Sequence, residues 1–132
     1  MTKENQKYFW GIDCGSSAIK VVVCDESGRI LRQKKVRTLF PIDQRVKEAL
    51  NFKDGFPSPF AGDSVKENHV IAATGYGRNR VSVANHRLTE IKAHYLGASL
   101  EVSHDGPYAI IDIGGKMPRL CMLKIRPSIS LF

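Results

Sequence analysis

Cysteine is scarce: Cys14, Cys24 and Cys121 stand far apart in 132 residues, with no CxxC pair and no regular spacing to the four histidines. An odd, scattered set excludes a disulfide framework and offers no zinc-binding pattern. Long apolar runs are missing too. None approaches the ~18 residues of a membrane-spanning helix, and the opening "MTKENQKYFWGID" turns polar again too soon for a signal peptide. A reduced, cytoplasmic setting without a membrane partner is therefore expected. Neither GxxxxGK[ST] nor GxGxxG followed by a helix occurs, so neither of those nucleotide fingerprints applies. Acidic residues are absent from 116–132, which hold Lys116, Arg119, Lys124 and Arg126.

That last absence accounts for most of the charge. The formal net charge is +7, yet the first 115 residues carry 16 basic against 13 acidic side chains, only +3. Non-specific nucleic-acid binding wants a clustered basic face with interleaved aromatics, and none precedes Lys116, so no nucleic-acid partner is expected. With 42% apolar and 25% charged residues the chain matches ordinary folded domains. One domain of this length buries roughly 65–70% of its unfolded surface.

Tyr8 to Ile12, Ala18 to Cys24 and Arg29 to Val36 read as strands joined by the turns "DCGSS" and "DESG", which predicts an antiparallel meander. In "PIDQRVKEALNF" the residues Ile42, Val46 and Leu50 recur at helical spacing. Lys53 to Lys66, rich in proline and glycine, reads as a surface connection. Val70 to Thr74 is a short buried strand ending at "GYGR". Leu88, Ile91, Tyr95 and Ala98 set an apolar stripe on a helix expected from about Asn85 to a left-handed stop at Gly97. Tyr108 to Ile113 is the next strand.

Two glycine turns stand beside aspartates. In "GIDCGSSAIK" Asp13 ends a strand, Gly15 permits a tight turn, and Ser16 and Ser17 add hydroxyls beside successive backbone N–H groups. Such a concave set of donors suits phosphate oxygens, and a carboxylate at the strand end suits a hydrated magnesium ion. Lys20 alternates back to the same face and would neutralise charge. An ordinary Gly-Ser hairpin is the alternative. "IIDIGG" repeats the device with Asp112, Gly114 and Gly115, and two such turns about a hundred residues apart suit a nucleotide gripped from both sides.

This pairing resembles the superfamily of actin, the heat-shock chaperone ATPases and the acetate and sugar kinases. Further, "GIDCGSSAIK", "ATGYGRNRV", "LTEIKAHYLGA" and "IIDIGG" come in the order and spacing of the ATPases that activate 2-hydroxyacyl-CoA dehydratases and drive benzoyl-CoA reductases. "TLFPIDQRVKEAL" looks more like the reductase type. The resemblance covers about residues 8 to 115. It implies an α/β, actin-like (ribonuclease H-like) ATPase lobe, a mixed sheet with flanking helices, in truncated form. It implies ATP and magnesium as cofactors, with Asp13 and Asp112 organising the hydrated ion and Gly15, Ser16, Ser17, Lys20, Gly114 and Gly115 around the phosphates. Thr74, Gly75, Tyr76, Gly77 and Arg78 would form a signature loop; Tyr76 as plain packing and Arg78 as a solvated charge are the alternatives. In the family, ATP hydrolysis drives an electron from a dimer-bridging iron–sulfur cluster to an acyl-CoA dehydratase or reductase, the electron coming from a donor such as ferredoxin or flavodoxin.

After Gly115 the resemblance stops. The family continues GGQD, then Ser or Ala, then Lys; here "KMPRLCM" follows. The cluster cysteines and the adenosine-binding half lie further downstream in the family, and Cys14, Cys24 and Cys121 match neither, so no iron–sulfur cluster is assigned to this chain. A one-base deletion explains the change: GGA-CAA-GAT-GCC-AAG-GCT-ATG-CAT-G, read without the first C of CAA, encodes Gly-Lys-Met-Pro-Arg-Leu-Cys-Met, as found from Gly115 to Met122. The expected organisation is an N-terminal lobe over 1–115 and an unmatched, frameshifted basic tail over 116–132. A selected return strand, "RLCMLKI", is the competing view. Two other functions stay open: a non-catalytic interaction or dimerisation module derived from the lobe, and a lobe of a small-molecule kinase.

Overall fold

Alternating apolar residues need a sheet with one covered face, and the computed structural model builds it. Residues 5–100 are described in full, and beyond them the strands within 108–112, 119–126 and 129–130 are described as backbone elements. Strands β1 (Tyr8–Cys14), β2 (Ala18–Cys24) and β3 (Ile30–Arg37) form the expected antiparallel meander, with Trp10 opposite Val23 and Cys14 opposite Ile19. Helix α1 (Ile42–Ala49) and the two-residue strands β4 (Phe60–Ala61) and β5 (Ser64–Val65) follow. Strand β6 (His69–Thr74) then returns parallel to β1, and β7 (His86–Arg87) lies parallel beside β6. The sheet order is β3-β2-β1-β6-β7, the mixed sheet with a flanking helix that the motifs implied.

The covered face holds Trp10, Ile12, Cys14, Ile19, Val21, Val23, Ile71 and Ala73, met by Ile42, Val46, Ala49 and Leu50 from α1 and its end. An eight-residue helix is too short to persist in water alone. Packing holds it: fully burying a side chain such as Val46 or Leu50 contributes about 1.5–3 kcal/mol. Its Pro41 cap makes no side-chain bond. Asp43 instead accepts from the backbone N–H and hydroxyl of Ser82, each at 2.9 Å, pinning α1 to the loop after β6. Burial pushes the Asp43 carboxyl up, but the bonds from Ser82 and Lys47 outweigh it and hold the group below its usual range.

Lys53 to Lys66 is more than a surface connection. Pro59 is fully buried, and Phe56, Phe60 and Val65 pack against the core. Turn residues shape its path, while the apolar area of its aromatic rings draws it inward. Tyr8 and Trp10 meet Phe56 edge-on at 5.6 and 5.9 Å between ring centres. Beneath them His69, 3% exposed, accepts a hydrogen bond at Nδ1 from the Trp10 indole N–H at 2.9 Å. Burial, with Lys66 adding to it, lowers the His69 pKa to about 4.

Two compact units divide at Leu88 and Thr89. In the second, α2 (Glu90–Ser99) borders an antiparallel sheet of β8 (Tyr108–Asp112), β9 (Arg119–Arg126) and β10 (Ile129–Ser130). The helix starts at Glu90, not near Asn85. Asn85 is used by the sheet: its Oδ1 accepts from the Ile71 N–H at 2.7 Å and its own N–H donates to the Ile71 carbonyl, so His86–Arg87 continues as β7. Thr89 then caps the helix, accepting from the Lys92 N–H at 3.2 Å. Nor does the helix stop at Gly97. It runs on to Ser99, Leu100 caps it in the right-handed region, and Gly97 is not among the positive-φ glycines. The expected stripe loses Leu88, and no residue of α2 is buried. "RLCMLKI" does pair with β8, with Asp112 opposite Arg119; strand pairing tolerates many sequences.

Candidate functional site at the ends of β1 and β6

Parallel neighbours β1 and β6 end side by side, and ligands of open α/β sheets sit outside such carboxyl ends. In register, Asp13 stands next to Thr74 on one side and opposite Lys20 on the other. Lys20 is in turn opposite Lys35 of β3. By strand alternation the four lie on the face away from the α1 core, in a row of two lysines, a carboxylate and a hydroxyl. Lys20 and Lys35 are exposed, Asp13 and Thr74 half-buried. The expected placement of Lys20 beside Asp13 is thus realised, and Lys35 joins it.

Cys14 is the last residue of β1 and wholly buried, not part of the turn. Burial, then the neighbouring Asp13, pushes its thiol up, which makes it an inert core group. The turn proper is Gly15, Ser16 and Ser17. The Gly15 N–H donates to the Ala18 carbonyl at 3.0 Å, and a Cβ on Gly15 would stand 2.9 Å from that oxygen. Both serines are exposed. Thr38 braces the turn from behind, its hydroxyl donating to the Gly15 carbonyl at 2.8 Å and its N–H to the Ser17 carbonyl at 3.0 Å. Nothing in the sequence singled out Thr38 or Lys35; the β2–β3 register finds them.

The signature loop folds onto the end of β1. Gly75 has φ +93°, and a Cβ there would lie 2.6 Å from the Cys14 carbonyl oxygen and 2.8 Å from Asp13 Oδ1. A side chain at 75 would therefore occupy the space in front of the carboxylate. Gly77 donates its N–H to the same Cys14 oxygen at 2.9 Å, and its absent Cβ leaves room for the Cys14 sulfur. Tyr76, 87% exposed, is not packing here. Nor is Arg78 a free solvated charge: it opens a 3₁₀ turn (Arg78–Arg80) and donates to the Gly75 carbonyl at 3.0 Å. Arg87 donates to the Arg78 and Val81 carbonyls at 3.2 and 2.8 Å.

Two buried side-chain atoms of the described residues are left over. Asp13 Oδ1 and Thr74 Oγ1 are buried with no hydrogen-bond partner, an arrangement that costs stability unless something polar is held there. Among the described residues no three His, Cys, Asp or Glu side chains gather as a metal cage. A lone carboxylate with a free oxygen fits a divalent ion reached through water. An iron–sulfur cluster is not fitted by Cys14 and Cys24, which lie at opposite ends and on opposite faces of the β1–β2 pair. Asp112 closes β8 in the second unit, while Gly114 and Gly115 lie outside the described residues. Among the described residues no helix is long and apolar enough to cross a membrane.

The mixed sheet, with glycine turns at the ends of two parallel strands, has the actin-like ATPase fold of its structural neighbours. Solved structures agree. The (R)-2-hydroxyglutaryl-CoA dehydratase component A of Acidaminococcus fermentans matches 83% of this chain and 40% of its own length, with TM-score 0.60 and 28% identity. The 2-hydroxyisocaproyl-CoA dehydratase activator from Clostridium difficile, solved with bound ADPNP, matches 82% of this chain and 38% of its own, with TM-score 0.59 and 31% identity. At 16% identity an Aquifex aeolicus Ppx/GppA phosphatase shares the fold, with TM-score 0.59 over 95% of this chain and 52% of its own.

By sequence the chain is a homologue of the 2-hydroxyisocaproyl-CoA dehydratase activator of Clostridioides difficile, 30% identical over 120 residues. It is 34% identical over 118 residues to the uncharacterized protein YjiL of Escherichia coli K12. These stretches are 88% of this chain but only 41% of either relative. No protein-family model matches the chain.

Proposed function

We propose that the chain is the phosphate-binding lobe of an ATP-hydrolysing activator that drives low-potential electron transfer to an acyl-CoA dehydratase or reductase. The observation that carries this reading is the unpartnered Asp13 oxygen, walled by Gly75 and faced by Lys20, at the ends of β1 and β6. The homologous activator's ADPNP-bound structure supports ATP as the ligand. Ser16, Ser17 and the turn's N–H groups would hold phosphate oxygens, Lys20 would balance their charge, and Asp13 would hold a magnesium ion through its water shell. Bound magnesium would draw the phosphate charge and ease phosphoryl transfer. A ferredoxin or flavodoxin donor, a homodimer and a cytoplasmic setting complete the proposal.

Turnover by this lobe alone is expected to be small, because phosphoryl transfer needs groups positioned around the whole nucleotide. The test is calorimetric titration of the purified chain with magnesium and ADPNP, alongside an ATPase assay. Weak binding that Asp13→Ala abolishes, with little hydrolysis, is the expected result. No binding would defeat the reading, and brisk magnesium-dependent hydrolysis lost in Asp13→Ala would defeat its low-turnover part. A second reading, a non-catalytic docking module, is favoured by Leu39 and Phe40, 48% and 75% exposed in the loop that Thr38 ties to the phosphate turn. It requires a partner complex insensitive to both ATP and Asp13→Ala.

A further inference from the structure

Thr74 is the first residue of the signature loop, and its hydroxyl is stranded beside a stranded carboxylate oxygen. The two belong to adjacent parallel strands and are register partners on one face. Both atoms are closed off from solvent. Gly75 keeps the space in front of Asp13 Oδ1 free, since its Cβ would sit 2.8 Å away. Other polar groups of the loop are paired: the Gly75 carbonyl takes Arg78, the Arg78 and Val81 carbonyls take Arg87, and the Gly77 N–H is given to Cys14. Among the buried side-chain atoms of the described residues, it is this pair that waits for a partner.

Chemistry narrows what that partner is. A carboxylate oxygen accepts hydrogen bonds and donates none, whereas a threonine hydroxyl does both. A phosphate oxygen therefore cannot satisfy Asp13 Oδ1, but a water molecule can, giving one proton to the carboxylate and pairing with Thr74 through its remaining proton or lone pair. We propose that Thr74 is a positioning residue: with Asp13 it holds one water molecule carried in the shell of the nucleotide's divalent ion. This deepens the nucleotide reading above and rests on it. It also gives the threonine of "TGYGR" a task separate from the packing done by the two glycines.

The experiment compares wild-type chain, Thr74→Val and Thr74→Ser, by thermal unfolding and by calorimetry with ADPNP in magnesium and in EDTA. Valine keeps the shape and removes the stranded hydroxyl, so without ligand Thr74→Val is expected to melt at the wild-type temperature or a few degrees above it. With magnesium and ADPNP it is expected to bind about tenfold or more weakly, the loss of a hydrogen bond near charge. Thr74→Ser should restore binding, and in EDTA the three chains should bind alike. Equal magnesium-dependent binding by wild type and Thr74→Val overturns the inference while leaving the nucleotide site intact. A ligand-free Thr74→Val that melts well below wild type also overturns it, since the hydroxyl then serves the fold. A wild-type chain that binds no nucleotide defeats the inference together with the reading beneath it.

Discussion

Gly77 gives its backbone N–H to the carbonyl of Cys14 at 2.9 Å, and this single bond docks the loop after β6 on the end of β1. The same carbonyl lies 2.6 Å from where a Gly75 Cβ would be. The spacing of "GYG" is thus the spacing needed to approach one strand end twice, with Tyr76 thrown outward between the contacts.

Gly75→Ala should be costly, combining a left-handed backbone that resists a side chain with three sub-van der Waals contacts. A loss of about 2 kcal/mol or more is expected in denaturant unfolding. Gly97→Ala is the contrasting case. It sits inside α2 with open space around it, so alanine should gain about 0.5–1 kcal/mol. A neutral Gly75→Ala would show that the loop is not held against the Cys14 carbonyl.

Acid should destabilise the first unit through His69. The folded chain holds its pKa at about 4, against 6.5 when unfolded. Unfolded chains therefore take up a proton that the folded form refuses, so stability is full above about pH 6.5 and falls as pH drops toward 4. The loss should reach about 3 kcal/mol. Unfolding midpoints from pH 7.5 to 4.5 measure it, and His69→Gln should flatten the slope. A slope that persists unchanged in His69→Gln would assign the effect to other groups.

Resequencing the DNA across codons 113 to 120 and some hundreds of bases beyond tests the proposed one-base deletion. We expect one added base to restore "GGQDAK". Confirmation of the present frame would make "KMPRLCM" a selected sequence. Pairing of β9 with β8 suits both cases, because backbone ladders form with most apolar side chains.

The strand runs and their turns made the meander legible from the sequence, and alternation made the placement of Lys20 beside Asp13 legible, because side chains in a strand repeat every two residues wherever the strand lies. Motif spacing likewise pointed to the fold and to its activator relatives. Other features depend on partners distant in sequence. Asn85 serves β6 rather than starting a helix because Ile71 presents a backbone pair to it. Phe56 turns inward because Trp10 and Tyr8 offer an apolar wall. Only the parallel pairing of β1 with β6 puts Thr74 against Asp13, 61 residues apart in the chain. Short-range pattern fixed which residues could face a ligand, and long-range strand pairing decided which of them share it.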